Sequence, residues 1–145
     1  MEALLPDLSS PEVQAFASGF PITLLHAAVT ALMLFLGATL YVLLTPYREI
    51  TLIREGNGAA AVALGGVLIG LALPLAASLT SSTSVLEIVV WGVATLLVQL
   101  LAFRIIDFLL TGLPSRIQEG EVSAAVLLVA AKLACAVILS AAVAG

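Results

Sequence analysis

Charge is scarce in this chain: 10% of its 145 residues are Asp, Glu, Lys or Arg, against 62% hydrophobic residues, and the mean hydropathy is +1.24. So little polar surface excludes a soluble domain of this size. One cysteine and one histidine exclude an intrachain disulfide, a thiolate metal cluster and a zinc motif with paired histidines. HExxH, GxSxG and Walker sequences are absent, as is a close pair of carboxylates within an apolar run, so the common hydrolytic and metal mechanisms lack their parts. The expectation is a protein that is not an enzyme and uses neither metal nor cofactor. No basic patch or aromatic platform is present, which argues against nucleic acid as a partner. The first 19 residues carry Glu2, Asp7 and Glu12 but no Lys or Arg, the reverse of a signal peptide's positive start, so the first apolar run is expected to stay in the mature chain. The net charge of -4 is scattered rather than gathered in a tail.

What the chain has instead is long apolar runs, at about 20–44, 59–79, 85–110 and 122–144. Each reaches the roughly 20 residues that span a hydrocarbon core. The predicted fold class is all-α, a polytopic membrane protein with four transmembrane helices and the lipid bilayer as its first partner. Residues 1–19 form a short extracytoplasmic segment, and 20–145 a single four-helix domain. Within the segment, Ser10-Pro11-Glu12 reads as a helix start, and Val13, Phe16 and Phe20 recur at helical spacing, which predicts a short interfacial helix. The connection Thr45 to Glu55, with Tyr47, Ile50 and Ile53 among its charges, predicts a second interfacial turn of helix that Gly56 breaks.

The chain also repeats itself. Residues 53–64 recur at 117–128 with seven of twelve positions identical at an offset of 64. In each copy a Glu-Gly step (Glu55-Gly56, Glu119-Gly120) opens an apolar run, so the repeat predicts two helical hairpins, about 20–79 and 85–145. Arg48, Arg54, Arg104 and Arg116 all fall on one side of the four spans. The positive-inside rule then places both repeated loops in the cytoplasm and both termini outside. The two hairpins enter and leave alike, as parallel repeats related by an axis along the membrane normal.

Few residues within the spans can carry function. In the second span, Gly65, Gly66, Gly70 and Pro74 supply a small-residue stripe for close helix packing, or a hinge. Lys132 lies ten residues into the fourth span, near the midplane, where a charge costs about 2.5 to 3.5 kcal/mol on insertion scales. It projects from the side bearing Ala124, Ala125, Ala131, Cys135 and Ala136, which should face protein. Gln99 on the third span lies at matching depth, so Lys132 and Gln99 are expected to form an intramembrane polar site, with an acid or water completing it. Arg104 and Asp107 read as a local ion pair at spacing i, i+3. His26 and Glu87 are a possible outer-side pair. In the loops, Glu55 and Glu119 are expected to favour the helix starts that follow them, and Asn57 to cap one of those helices.

The run Glu55-Gly56-Asn57 through Gly65-Gly66, Gly70 and Pro74, followed by Ser78, Trp91-Gly92, Gln99-Leu100 and Glu119-Gly120, resembles the bacterial membrane proteins catalogued as domain of unknown function 350. The resemblance covers roughly residues 22–145. It implies a small bacterial inner-membrane protein with four helices and no established activity. Some relatives resemble membrane components of envelope-stress gene neighbourhoods that also encode coat-like and peptide-ligase-like proteins, which implies partner binding. Lys132 departs from the family pattern, where a small polar residue is expected. The leading functional expectation is a homo-oligomeric assembly or docking component whose Glu-Gly loops contact a cytoplasmic peripheral protein. The alternative is a small homo-oligomeric channel or transporter with a polar path at Lys132 and Gln99.

Overall fold

The computed structural model describes residues 9–145; Glu2 and Asp7 of the expected extracytoplasmic segment lie outside the described residues. The chain folds as six helices: α1 (Pro11–Leu44), α2 (Glu49–Arg54), α3 (Gly58–Ser81), α4 (Val85–Leu109), α5 (Leu113–Gln118) and α6 (Val122–Ala144). Of these, α1, α3, α4 and α6 are long and apolar enough to cross a membrane. The all-helical class and the four spans match the expectation, and α2 is the short helix predicted ahead of Gly56.

At 34 residues, α1 is about 51 Å long, well beyond the hydrocarbon thickness of about 30 Å. The expected boundary near residue 19 is not an element boundary, because the helix runs on through it. Ser10 caps its start, accepting from Val13 N–H at 3.4 Å. Phe16 and Phe20, one turn apart, stack at 4.9 Å, and the hydroxyls of Ser18 and Thr23 bond back to carbonyls of their own helix. These contacts hold the helical geometry across the place where composition changes.

The short helices end alike. Gly56 (φ 91°) and Gly120 (φ 89°) adopt the left-handed conformation. Asn57 N–H donates to Leu52 O at 2.9 Å, and Glu121 N–H donates to Arg116 O at 3.0 Å, the bond that closes a glycine-terminated helix cap. Glu55 and Glu119 therefore sit at the C-caps of α2 and α5 rather than in the first turns of α3 and α6, where a favourable dipole was expected. Asn57 caps α3 as expected, its Oδ1 accepting from Ala60 N–H at 2.9 Å. The starts of α2 and α5 (49 and 113) and of α3 and α6 (58 and 122) are each 64 residues apart.

Packing centres on α3, which touches α1, α4 and α6, most extensively α6. Gly66, Gly70 and Pro74 are buried in these contacts. A Cβ on Gly66 would clash with Val129 Cγ2, and one on Gly70 would come within 2.7 Å of Phe103 Cζ. The small-residue stripe thus serves contacts inside the chain, where close backbone approach replaces the hydrophobic force that lipid removes. Gly65 faces open space, and α3 continues through Pro74 to Ser81. Phe35, Leu43, Phe108 and Ile138 point outward, 68%, 76%, 78% and 70% exposed, which suits a lipid-facing surface.

Candidate functional site

The buried charged groups, Lys132 and Glu49, meet toward the end that carries the arginines, while Ser78, Thr95 and Gln99 are buried elsewhere in the bundle. Lys132 is 1% exposed and Glu49 0%, so neither charge is solvated by bulk water. A helical side chain leans toward its own N-terminus, and Lys132 uses that lean to carry its ammonium from mid-helix toward the start of α6. There Nζ lies 2.8 Å from Asp107 Oδ1 and donates to Tyr41 Oη at 3.0 Å. The approach to Asp107 is an ion pair by distance, while Oδ1 receives no well-aligned hydrogen bond. The Tyr41 and Phe103 rings lie 5.0 and 5.3 Å from Nζ, within cation–π range, and meet edge to face at 6.2 Å. One lysine from α6 is thus held by an acid and a ring from α4 and by a tyrosine from α1.

The cluster continues into α2. Tyr47 Oη donates to Glu49 Oε1 at 3.2 Å, and Tyr41 Oη stands 3.5 Å from the same oxygen, at the outer limit of a hydrogen bond. Glu49 Oε2 has no partner. Burial pushes the Glu49 carboxyl above the ordinary carboxylate range, against the opposing pull of the Tyr47 bond and the Lys132 charge. Burial and the Glu49 charge likewise raise the Tyr47 phenol. The arrangement can hold one buried cation between two acids and two phenols, with Asp107, its side chain 18% exposed, facing a cleft of about 220 Å³ beside Tyr47 and Arg104.

Lys132 and Gln99 do not form the expected pair. Gln99 is fully buried and both its side-chain polar atoms lack hydrogen-bond partners. It lies eight residues before Asp107 on α4, with Phe103 at the intervening turn, and the lean of Lys132 carries the ammonium away from it. The local Arg104–Asp107 pair gives way for the same reason, since Asp107 is taken by Lys132. His26 and Glu87 also remain apart: Glu87 Oε2 accepts from Thr83 N–H at 2.7 Å and from Thr83 Oγ1 at 3.0 Å, closing the start of α4. Sequence reasoning missed Tyr41, Tyr47 and Glu49. Their signal was slight: a polar trio about two turns apart at the same end toward which Lys132 leans.

A second set of polar groups lies at the exposed turns. Asn57 Nδ2 donates to Ile117 O at 3.0 Å and to Gln118 O at 3.1 Å, tying the α2–α3 turn to the α5–α6 turn. A shallow cleft of about 310 Å³ results, lined by Glu55, Gly56, Asn57, Glu119 and Gly120. Nearby, Arg116 is paired with Glu121, which holds that carboxyl down at about 2. No group of three or more potential metal ligands lies among the described residues.

Comparison with known proteins matches this architecture to membrane proteins of unassigned activity. The family model described as Domain of Unknown Function (DUF350) matches residues 15–143. The UPF0719 inner membrane protein YjfL of Escherichia coli (strain K12) is 30% identical over 95 residues, 66% of this chain and 72% of that protein. The UPF0719 transmembrane protein YshE of Bacillus subtilis (strain 168) is 37% identical over 82 residues, 57% of this chain and 60% of that protein. No solved structure matches. Four apolar spans and a family match over nearly the whole length agree: this is an integral membrane protein that belongs to the DUF350 family.

Proposed function

We propose that this chain is an oligomeric, non-enzymatic assembly or docking component of a bacterial inner membrane, presenting its two Glu-Gly turns to a cytoplasmic protein. One observation carries the reading: the Asn57 amide joins turns 60 residues apart into one exposed surface with Glu55 and Glu119 on it. The coincident helix starts at an offset of 64 support an origin as two parallel hairpins, and the one-sided arginines support cytoplasmic turns with both termini outside. A periplasm-dependent reporter placed within residues 79–84 should be active, and one at Gly120 silent; reversed activities overturn the orientation.

The partner reading is tested with purified protein immobilised in detergent and exposed to cytosolic proteins. A specific binder should be retained by the wild type and by Lys132→Met, and lost from the Glu55→Lys/Glu119→Lys double variant. Equal retention by the double variant, or no retained binder, defeats it. A small homo-oligomeric channel is the second reading, and Gln99 is the observation that favours it, as an amide buried without a partner. Channel activity would appear in liposomes as ion flux that disappears in Lys132→Met, whereas sealed vesicles support docking. The buried, paired state of Lys132 favours docking.

A further inference from the structure

Arg104 is an anomaly of a different kind from Lys132. It is exposed on α4, five residues before the helix ends at Leu109, so its backbone lies about 8 Å inside that end. Its neighbouring acid, Asp107, is taken by Lys132 at 2.8 Å, and Arg104 has no ion pair or hydrogen bond of its own among the described residues. Ile105, Phe108 and Leu109 beside it are 49%, 78% and 70% exposed, so its flanks are outward-facing and apolar. A guanidinium at this place snorkels toward the interface, the depth at which lipid phosphates lie.

The cleft of about 220 Å³ that Arg104 lines with Thr45, Tyr47, Asp107, Phe108 and Pro114 offers a place for that anion. Thr45 Oγ1 donates to Tyr41 O at 2.9 Å, and Tyr47 Oη donates to Glu49. Lys132 offsets the charge of Asp107. The Arg104 guanidinium is what remains, a cation with all its donors free, and exposed Arg48 next to Tyr47 adds positive charge at the same end. A guanidinium recognises phosphate oxygens through paired N–H donors. The opening onto a lipid-facing helix surface selects a phosphate that arrives with acyl chains.

We propose that this cleft binds the phosphodiester headgroup of an anionic phospholipid, with Arg104 on the phosphate and an acyl chain along Phe108 and the exposed face of α4. The test places wild type, Arg104→Gln and Arg54→Gln in nanodiscs of phosphatidylglycerol and phosphatidylcholine in equal parts. Lipid retained after mild extraction is read by native mass spectrometry. Wild type should retain phosphatidylglycerol over phosphatidylcholine by roughly fivefold, as one charge contact near the surface supports. Arg104→Gln should fall to the bulk ratio, and Arg54→Gln, an arginine outside the cleft, should match wild type. Unchanged selectivity in Arg104→Gln, or equal loss in Arg54→Gln, overturns the proposal. Displacement of the lipid by millimolar inorganic phosphate also overturns it, in favour of a free anion. If Arg104→Gln does not fold, an azide-bearing phosphatidylglycerol must label Tyr47 or Phe108 in the wild type; label confined to other residues overturns the site.

Discussion

Positions 64 apart in this chain face opposite fates. Lys132, Asp107, Glu49 and Tyr41 correspond at that offset to Leu68, Leu43, Leu113 and Ile105, so these four members of the polar cluster have aliphatic counterparts, while Tyr47 answers to Thr111. Lys132 and Asp107 form an ion pair with the lysine buried and the acid at the edge of a cleft, whereas Leu43 and Leu68 line an open apolar groove of about 310 Å³ and are 76% and 40% exposed. The frame is shared, but the neighbours differ. On α6 the position faces α1 and α4, which supply a phenol and an acid; on α3 it opens onto a groove walled by apolar residues of α1, because the packing face of α3 is filled by α1, α4 and α6. Buried charges are costly singly and tolerable together, so one place holds the whole polar set and the other holds none of it.

The most severe way to break this contrast is Asp107→Leu, which leaves Lys132 charged and without its acid. It should lose about 3–5 kcal/mol of stability, read by denaturant titration in mild detergent. Lys132→Leu should cost less, because Asp107 opens on the cleft and can be hydrated there. The double variant Asp107→Leu/Lys132→Leu copies the Leu43/Leu68 arrangement and should recover most of the loss. A double variant as unstable as Asp107→Leu alone would refute the pairing.

Next in size is the tight side of α3 against its open side. Gly66→Ala should lose about 1–3 kcal/mol through overpacking against Val129, while Gly65→Ala, one residue away and facing open space, should match wild type or gain up to about 1 kcal/mol from helix propensity. Equal thermal shifts would remove the packing role assigned to Gly66. The two turns invite a smaller comparison. Asn57→Ala removes the α3 cap and should lose roughly 1 kcal/mol, whereas the counterpart substitution Glu121→Ala should lose less, since Glu121 makes no side-chain cap bond to α6. Melting temperatures in one detergent decide the order.

The smallest expected effect is a pair of opposed pH slopes. The raised Glu49 carboxyl favours the fold below the ordinary carboxylate value, and that contribution is lost as pH rises through its elevated folded value. Glu121, held down at about 2 mainly by its hydrogen bond from Arg116, contributes above the ordinary value and loses that contribution as pH falls toward 2. Glu49→Gln should therefore flatten the decline of the melting temperature that begins above the ordinary carboxylate value, and Glu121→Gln the acid decline. An unchanged profile in Glu49→Gln would show that its carboxyl is not titrating between the two states.

Much of this was legible before the fold was known. Apolar runs of sufficient length leave little choice but spanning helices, and Asn57 declared its cap through a local bond of three residues. The cluster was legible only in part. Lys132 stood out by its depth, but its partners could not be read from spacing, because i, i+3 geometry assigned Asp107 to Arg104, and equal depth assigned Gln99 to Lys132. Both assignments treated helices as straight ladders of residues. The lysine side chain spans more than one turn and reached the acid instead.

The sequence alone determined that this chain is helical, that it spans the membrane four times, and that its glycine-ended turns recur at a fixed interval, because hydropathy, caps and left-handed glycines act within a few residues. Tertiary structure alone decided that Gly66 and Gly70 receive Val129 and Phe103, that two distant turns share one amide, and that Lys132 meets Asp107 and Tyr41 while Leu68 lines an outward apolar groove. Those outcomes depend on which helix faces lie together, and short-range sequence pattern carries no term for that.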